Sequence, residues 1–395
     1  MNSKWEYRKI GDVCIVERGG SPRPIDQYIT NDANGINWIK IGDTSESMYI
    51  TETAQKIKPE GMKKSRYVQP GDFLLSNSMS FGRPYILKTD GCIHDGWLVL
   101  RDKNSFFDKR FLYYYLSAKP TYEKFKMIAV GGVVNNLNSE MVRKISVPVP
   151  CKAEQIEIAN LLDIVNRIIL KRKQTLQKLD ELVKARFVEL FGEPCKNSLG
   201  WNTSTVGALI SVCEAGWSGN GTQRKKEPGE IAVLKVSAVT KGYFIPAECK
   251  VLDNQRNIKK YIFPHSGDLL FSRANTREMV GATAVITQDY PEHILPDKLW
   301  RIRFIDTANV IYMKYVLSDE SIRSIFSSVS TGTSGSMFNV SMDKFKSITV
   351  PLPPLERQAQ FAAFVEQVNK SKVAVQKSLD EAQLLFDSLM QQYFG

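Results

Sequence analysis

The 395-residue chain carries 53 Lys and Arg against 42 Asp and Glu, a formal charge of +11, with 43% hydrophobic and 24% charged residues. That balance excludes wholesale disorder, no apolar run approaches the roughly 20 residues that cross a bilayer, and the start, MNSKWEYRKI, lacks the apolar core of a secretory signal. A soluble, cytoplasmic protein is expected, with two or three folded units at roughly 150 residues per unit.

From the N-terminus, short β-like runs (INWIKIG, DFLLSN, GWLVLR) alternate with Gly, Pro, Asn and Asp breaks, interrupted by one aromatic helical segment over 109–116. Pro148 and Pro150 then mark the entry to a long helix, and residues 154–191 contain no Gly or Pro. Its apolar positions, Ile158, Leu162, Val165, Ile169, Leu176, Leu179, Val183, Phe187 and Leu190, follow a three-four spacing broken only by Arg172. At 1.5 Å per residue this helix spans roughly 57 Å.

The remaining half repeats the first in the same order. WEYRKIGDV (5–13) returns as WNTSTVGAL (201–209), and PGDFLLSN (70–77) as SGDLLFSR (266–273). RFLYYYLS (110–117) returns as IYMKYVLS (311–318), and ISVPVP (145–150) as ITVPLP (348–353). The ends match too, Leu190-Phe191-Gly192 with Tyr393-Phe394-Gly395. Five ordered matches define a tandem duplication. The second helical stripe runs through Phe361, Val365, Val368, Lys372, Leu379, Ala382, Phe386, Met390 and Tyr393, with Val375 at the place of Arg172. Such stripes require a partner, and the other copy is the nearest candidate. The predicted helix-pair interface is therefore Ile158, Leu162, Val165, Leu176, Leu179 and Val183 with Phe361, Val365, Val368, Leu379 and Phe386. The boundaries expected are 1–150 and 193–353 for the globular heads, and 151–192 and 354–395 for the helical regions. The fold class is α+β, two globular heads in pseudo-twofold tandem repeat separated by two long antiparallel helices forming a coiled coil.

Charge follows the same partition. Residues 1–153 hold 23 basic and 16 acidic side chains and residues 192–355 hold 19 and 15, whereas the helices hold 7 and 6 and then 4 and 5. The basic excess sits in the heads, as it would for two polyanion-binding domains on a protein-facing spacer.

Catalytic signatures are missing. There is no G-x-x-x-x-G-K-[ST] loop, no strand-linked G-x-G-x-x-G, and no Asn-Pro-Pro-aromatic segment. His94, His265 and His293 stand in no nucleophile or metal pattern. The cysteines (Cys14, Cys92, Cys151, Cys195, Cys213 and Cys249) are scattered without C-x-x-C spacing, so no metal site and no disulfide framework is expected. Asp72 and Asp268, each in a Gly-Asp step before a strand, fit turn chemistry better than acid catalysis. A binding protein is expected, not an enzyme.

The order of these features resembles the specificity (S) subunit of Type I restriction–modification systems. The residues that carry the resemblance are IGDVCIVERGGSPRP, GINWIKIGD, PGDFLLSNS, GGVVNNLN and ISVPVPCKAEQIEIANLLD in the first copy. In the second they are HSGDLLFSR, STGTSGSMFNV and ITVPLPPLERQAQFA, and the V-P-[LV]-P…[ER]-Q helix entry, present twice, is the most specific. One departure is EAGWSGNGTQ where the first copy has GGSPRP, so the second domain's first loop is expected to meet DNA differently. The resemblance implies two target-recognition domains, each reading half of an asymmetric, bipartite double-stranded DNA target. The helix pair would act as a ruler and dock two modification (methyltransferase) subunits, with restriction (translocase–nuclease) subunits added. S-adenosylmethionine, ATP and Mg would belong to those partners, with no cofactor in this chain. A specificity partner of a fused methyltransferase–nuclease differs only in the protein bound, and a self-sufficient enzyme or a non-DNA scaffold fits the residues less well.

Base readout requires paired donors and acceptors on loops that reach a groove. In copy one this selects Arg23, Lys40, Asn77, Ser78 and Arg83, with Gly131, Asn135 and Asn136 from the loop GGVVNN. In copy two it selects Arg224, Lys225, Lys235, Arg273, Asn275 and Arg277, with Thr333, Ser334 and Ser336 from TSGS.

Overall fold

The computed structural model describes residues 5–77, 81–129, 136–254, 258–329 and 338–395. The chain divides into two units, residues 1–173 with 376–395, and residues 174–375. Each unit therefore holds one globular head, the start of one long helix and the end of the other.

In the first unit one five-stranded sheet has the order Cys14–Arg18, Trp97–Asp102, Phe73–Ser76, Pro84–Leu87 and Tyr49–Ile50. Its central strands, WLVLRD and FLLS, are buried along most of their length, which is why they read as continuous apolar runs. A second five-stranded sheet runs Ile29–Thr30, Gln55–Ile57, Ile36–Ile39, Gly91–Ile93 and Arg66–Val68. The second unit repeats both patterns with four strands each. One is Ile210–Ala215, Leu299–Phe304, Leu269–Ser272 and Thr283–Val285; the other is Gly221–Thr222, Cys249–Leu252, Ala232–Leu234 and His293–Ile294. A small antiparallel pair closes each head, Tyr7–Lys9 with Ser146–Pro148 and Thr203–Thr205 with Thr349–Pro351. The α+β reading and the tandem repeat both hold.

The sequence expectation of one helix per head needs correction. Lys109–Ser117 is followed by Lys119–Ala129, and Val310–Ser318 by Glu320–Val329, with a single extended residue, Ala118 or Asp319, between them. Pro120 in the first turn of one and the Asp319 carboxylate accepting from the Ser321 amide in the other restart the helix at once. These breaks are too short to interrupt an apolar pattern read from sequence.

The long helices span Lys152–Phe191 and Leu355–Phe394. A buried glutamine fixes each start. Gln155 accepts from the Asp108 amide (2.7 Å) and donates to the Phe106 and Pro150 carbonyls (both 2.9 Å). Gln358 accepts from the Asn309 amide (2.8 Å) and donates to the Thr307 and Pro353 carbonyls (3.1 and 2.7 Å). Asp108 and Asn309 are themselves N-caps, so one side chain ties the long helix, the proline entry and the aromatic helix together. The helix ends are equally matched. Phe394 lies edge-on to Phe111 (5.5 Å) in the first unit, and Phe191 edge-on to Tyr312 (4.9 Å) in the second.

Within each unit the start of one helix packs beside the end of the other, as a coiled-coil reading requires. Val165 and Ile169 bury against Ala382, with Leu379 and Phe386 half-buried alongside. Val183 and Phe187 bury with Phe361, Val365 and Val368. The stripe is not purely a helix–helix seam, however. Ile158 and Leu162 belong to the core that contains Phe111 and Tyr114, and Phe361 packs on Tyr315. Leu176 and Leu179 are only half-buried, and Lys372 is ion-paired with Asp180 at 2.6 Å. The outer faces keep large apolar side chains in water, among them Leu161, Ile164, Ile168 and Leu384 in the first unit and Leu182 and Val373 in the second.

Candidate nucleic-acid interface

The strand Phe73–Ser76 begins at a turn whose Gly71 has a positive φ of 94°, where the Asp72 carboxylate accepts from the Gln69 amide. Arg101 on the neighbouring strand donates to Asp72 (3.0 Å) and pairs with Glu17 (2.8 Å). Asp268, fully buried, takes the same position in the second unit, bonded to the His265 amide and to Arg303. Both carboxylates are thus committed to turn and sheet, as the turn reading expects.

The strand then delivers the chain into a loop that carries three of the sequence-predicted DNA contacts in each copy, Asn77, Ser78 and Arg83 in the first and Arg273, Asn275 and Arg277 in the second. Gly82 (φ 78°) and Gly281 (φ 79°) close these loops, each donating its amide to the serine that ends the strand, Ser76 or Ser272. Past that serine the two loops are held in the same way. Asn77 is buried; its amide donates to the Gly96 carbonyl and its side chain donates to the Asp95 carbonyl (2.9 Å). Arg273, its counterpart, donates its amide to the Lys298 carbonyl and its guanidinium to the Asp297 carbonyl (2.8 Å). The first loop of each head joins at the same aspartate. The Ser21 hydroxyl donates to Asp95 (2.9 Å), and the Ser218 hydroxyl donates to Asp297. The next segment joins the loop beside it and not the aspartate itself: the Leu137 amide donates to the Asn77 carbonyl and the Val340 amide to the Arg273 carbonyl. Glycine is required where the first loop passes: a Cβ on Gly19 would stand 2.2 Å from the His94 carbonyl oxygen, and one on Gly216 1.9 Å from the Leu295 carbonyl oxygen. The divergent EAGWSGNGTQ and GGSPRP loops therefore share one attachment.

Burial disfavours the charge on Asp95. Burial is the largest single influence, but the Ser21 hydroxyl, His94, Arg23 and Arg18 together outweigh it and hold the carboxyl below its ordinary range.

The predicted contact residues fall into distinct situations. Arg83 and Arg277 are exposed on the closing segments of their loops, and Lys225 is exposed as well. Arg23 is exposed and reaches Asp95 at 3.4 Å. Lys40 and Lys235 occupy matching ends of Ile36–Ile39 and Ala232–Leu234; Lys40 donates to Gln55 (2.8 Å) and Lys235 pairs with Glu248 (2.7 Å). Arg224 is held by Glu230 through two bonds of 2.8 and 2.6 Å, and it lowers the Glu230 carboxyl to about 2. Asn275 pairs with Phe338 in a two-residue ladder, and Asn136 is half-buried. Asn77, being buried, anchors its loop and presents no side chain outward. Ser78, Gly131, Asn135, Thr333, Ser334 and Ser336 lie outside the described residues. Sequence reasoning missed Asp95, Asp297, Ser21 and Ser218. Their only signal is that I-H-D-G-W (93–97) and L-P-D-K-L (295–299) fall at matching places in the repeat.

Among the described residues no group of His, Cys, Asp and Glu has the geometry of a metal site, and no helix is long and apolar enough to cross a membrane.

This arrangement, two repeated heads with matched loop clusters and long helices, is the fold of Type I specificity subunits. The Type I restriction-modification system S subunit from M. genitalium superposes over 100% of this chain and 97% of its own (TM-score 0.58, 13% identity). A chain from a type I R-M system studied for complex assembly and conformational transition superposes equally well, over 100% and 98% (TM-score 0.58, 16% identity). In sequence, the pattern of the Type I restriction modification DNA specificity domain matches residues 2–181 and again 199–382, and the chain belongs to that family. The EcoEI specificity subunit of Escherichia coli is 25% identical over 48% of this chain and 32% of its own length. The EcoKI specificity subunit of Escherichia coli strain K12 is 25% identical over 88% and 77%, and the MjaIX subunit of Methanocaldococcus jannaschii 26% identical over 67% of each. The chain thus spans about a third of the first of these relatives and two thirds or more of the other two.

Proposed function

We propose that this chain is the non-catalytic, sequence-reading subunit of a Type I restriction–modification enzyme, in which each head reads one half of an asymmetric, bipartite DNA target. The observation that carries this reading is the repeated loop cluster. Two heads hold different loop sequences on the same scaffold of Asp95 or Asp297, as two readers of different half-sites would. Exposed Arg83 and Arg277 stand on those loops, and arginine is suited to bidentate contacts with guanine. The exposed apolar faces of the long helices support docking of two modification subunits, and the helices would set the gap between half-sites. Restriction subunits complete the assembly. S-adenosylmethionine, ATP and Mg would then act on the partners, and the complex would work in the cytoplasm.

Arg83→Ala or Arg277→Ala should each weaken target binding by about 1–3 kcal/mol if the side chain contacts a base. Titrating labelled target DNA with the assembled complex at fixed salt measures this. Unchanged affinity for both variants would remove these arginines from the interface.

A further inference from the structure

The loop clusters contain a feature that the DNA-reading role does not by itself require. Three segments that are far apart in sequence meet at one junction in each unit, two of them bonded to an aspartate and the third to the backbone carbonyl of Asn77 or Arg273. In the first unit these are the loop after Cys14–Arg18, the loop after Phe73–Ser76 and the segment from residue 136 onward. In the second they are the loop after Ile210–Ala215, the loop after Leu269–Ser272 and the residue that follows Phe338–Asn339, Val340. The aspartate joins its two segments with both ends of the residue. Its carbonyl receives the Asn77 or Arg273 side chain, while its carboxylate receives the serine hydroxyl and an arginine, Arg23 at 3.4 Å or Arg273 at 3.3 Å. The aspartate amide in turn donates back to the serine oxygen at 3.3 Å in both units.

Neither aspartate serves the core. Their side chains are 32% and 46% exposed, and neither belongs to any of the buried apolar clusters. The sheets below are fixed by their own ladders and by Trp97, Leu98, Leu299 and Trp300. What the carboxylate adds is its hold on the first loop, through Ser21 and Arg23 in one unit and Ser218 in the other, on the same residue whose carbonyl holds the loop after the strand; in the second unit the carboxylate also takes Arg273. A base-reading side chain must be placed to a fraction of an ångström, so a hinge at the loop base translates directly into lost discrimination.

We propose that Asp95 and Asp297 are positioning residues for target recognition, each setting the mutual geometry of the loops that read one half-site. This rests on the two-head function proposed above. Each aspartate acts only in its own unit, and that separation supplies the test.

The full chain is co-expressed with its modification subunit, and the methylated motif is mapped by methylome sequencing for wild type, Asp95→Ala, Asp95→Asn, Asp297→Ala and Asp297→Asn. Asp95→Ala should relax one half of the motif, with discrimination there falling on the order of tenfold, the scale of one lost base contact. The other half should keep wild-type stringency, and Asp297→Ala should give the complementary pattern. The asparagine variants retain an acceptor for Ser21 or Ser218 and should recover most of the loss. The untouched half-site reports that each variant complex is folded and assembled. Wild-type stringency at both halves in the alanine variants would overturn the proposal. So would equal loss at both halves in the alanine and asparagine variants alike, which would assign the aspartates to fold stability. A wild-type motif that is not bipartite would instead strike the two-head reading itself.

Discussion

Gln155 and Gln358 each make three hydrogen bonds in places closed to water, and each ties a long helix to the aromatic helix of its head. Truncating Gln358 to alanine strands the Asn309 amide and two carbonyls. Each buried group left without its partner costs about 1–3 kcal/mol, so a clear drop in the denaturant midpoint is expected, and an unchanged midpoint would contradict the clamp. Lys314 gives a pH-dependent counterpart. It replaces Tyr113 of the first copy, its ammonium lies 4.5 Å from the Tyr315 ring centre, and Lys372 and Asp180 are the charges nearby. Burial, then repulsion by Lys372, pushes it down to about 8 against the attraction of Asp180. The unfolded chain, with an ordinary lysine near about 10.4, binds this proton more tightly than the folded one. The charged side chain therefore destabilises the fold below about pH 8, and that penalty fades as pH rises from there toward the ordinary lysine value. Lys314→Met should raise stability most near about pH 7, and the gain should shrink near about pH 9.5. A gain that does not change with pH would show that packing alone distinguishes the two side chains.

The long helices separate apolar positions that hold the fold from apolar positions that face water. Leu162 is fully buried in the core of the first unit, whereas Ile164, two residues on, is 53% exposed. Leu162→Ala should cost about 2–5 kcal/mol in unfolding free energy. Ile164→Ser should leave stability within about 0.5 kcal/mol yet weaken assembly with the modification subunit, measured by titrating one against the other. Equal destabilisation by both substitutions would mean that the outer face is not open for docking. The sequence made the helices themselves plain, because forty residues without Gly or Pro and with a sustained stripe admit little else. It did not reveal that Ile158, Leu162 and Phe361 also face their heads, since a three-four spacing records that a face is buried and not what covers it. The second short helix of each head was hidden for a related reason: a one-residue break at Ala118 or Asp319 leaves the apolar pattern intact.

At the scale of the whole chain, duplication was legible from five ordered matches, and both units repeat the same sheet order. The loop clusters were not legible in the same way. Polarity and glycine content pointed to 76–83 and 272–277, but Asn77 turned inward while Asp95 and Asp297, unremarkable single residues in a turn, became the junctions. Hydrogen bonds between loops distant in sequence leave no periodicity to read. The two-head account predicts that each unit contributes an independent half of the recognition event. The most direct test is methylome sequencing of a host that expresses this chain with its modification subunit. An asymmetric two-part motif with a fixed gap is the predicted result; a continuous palindrome would contradict the account.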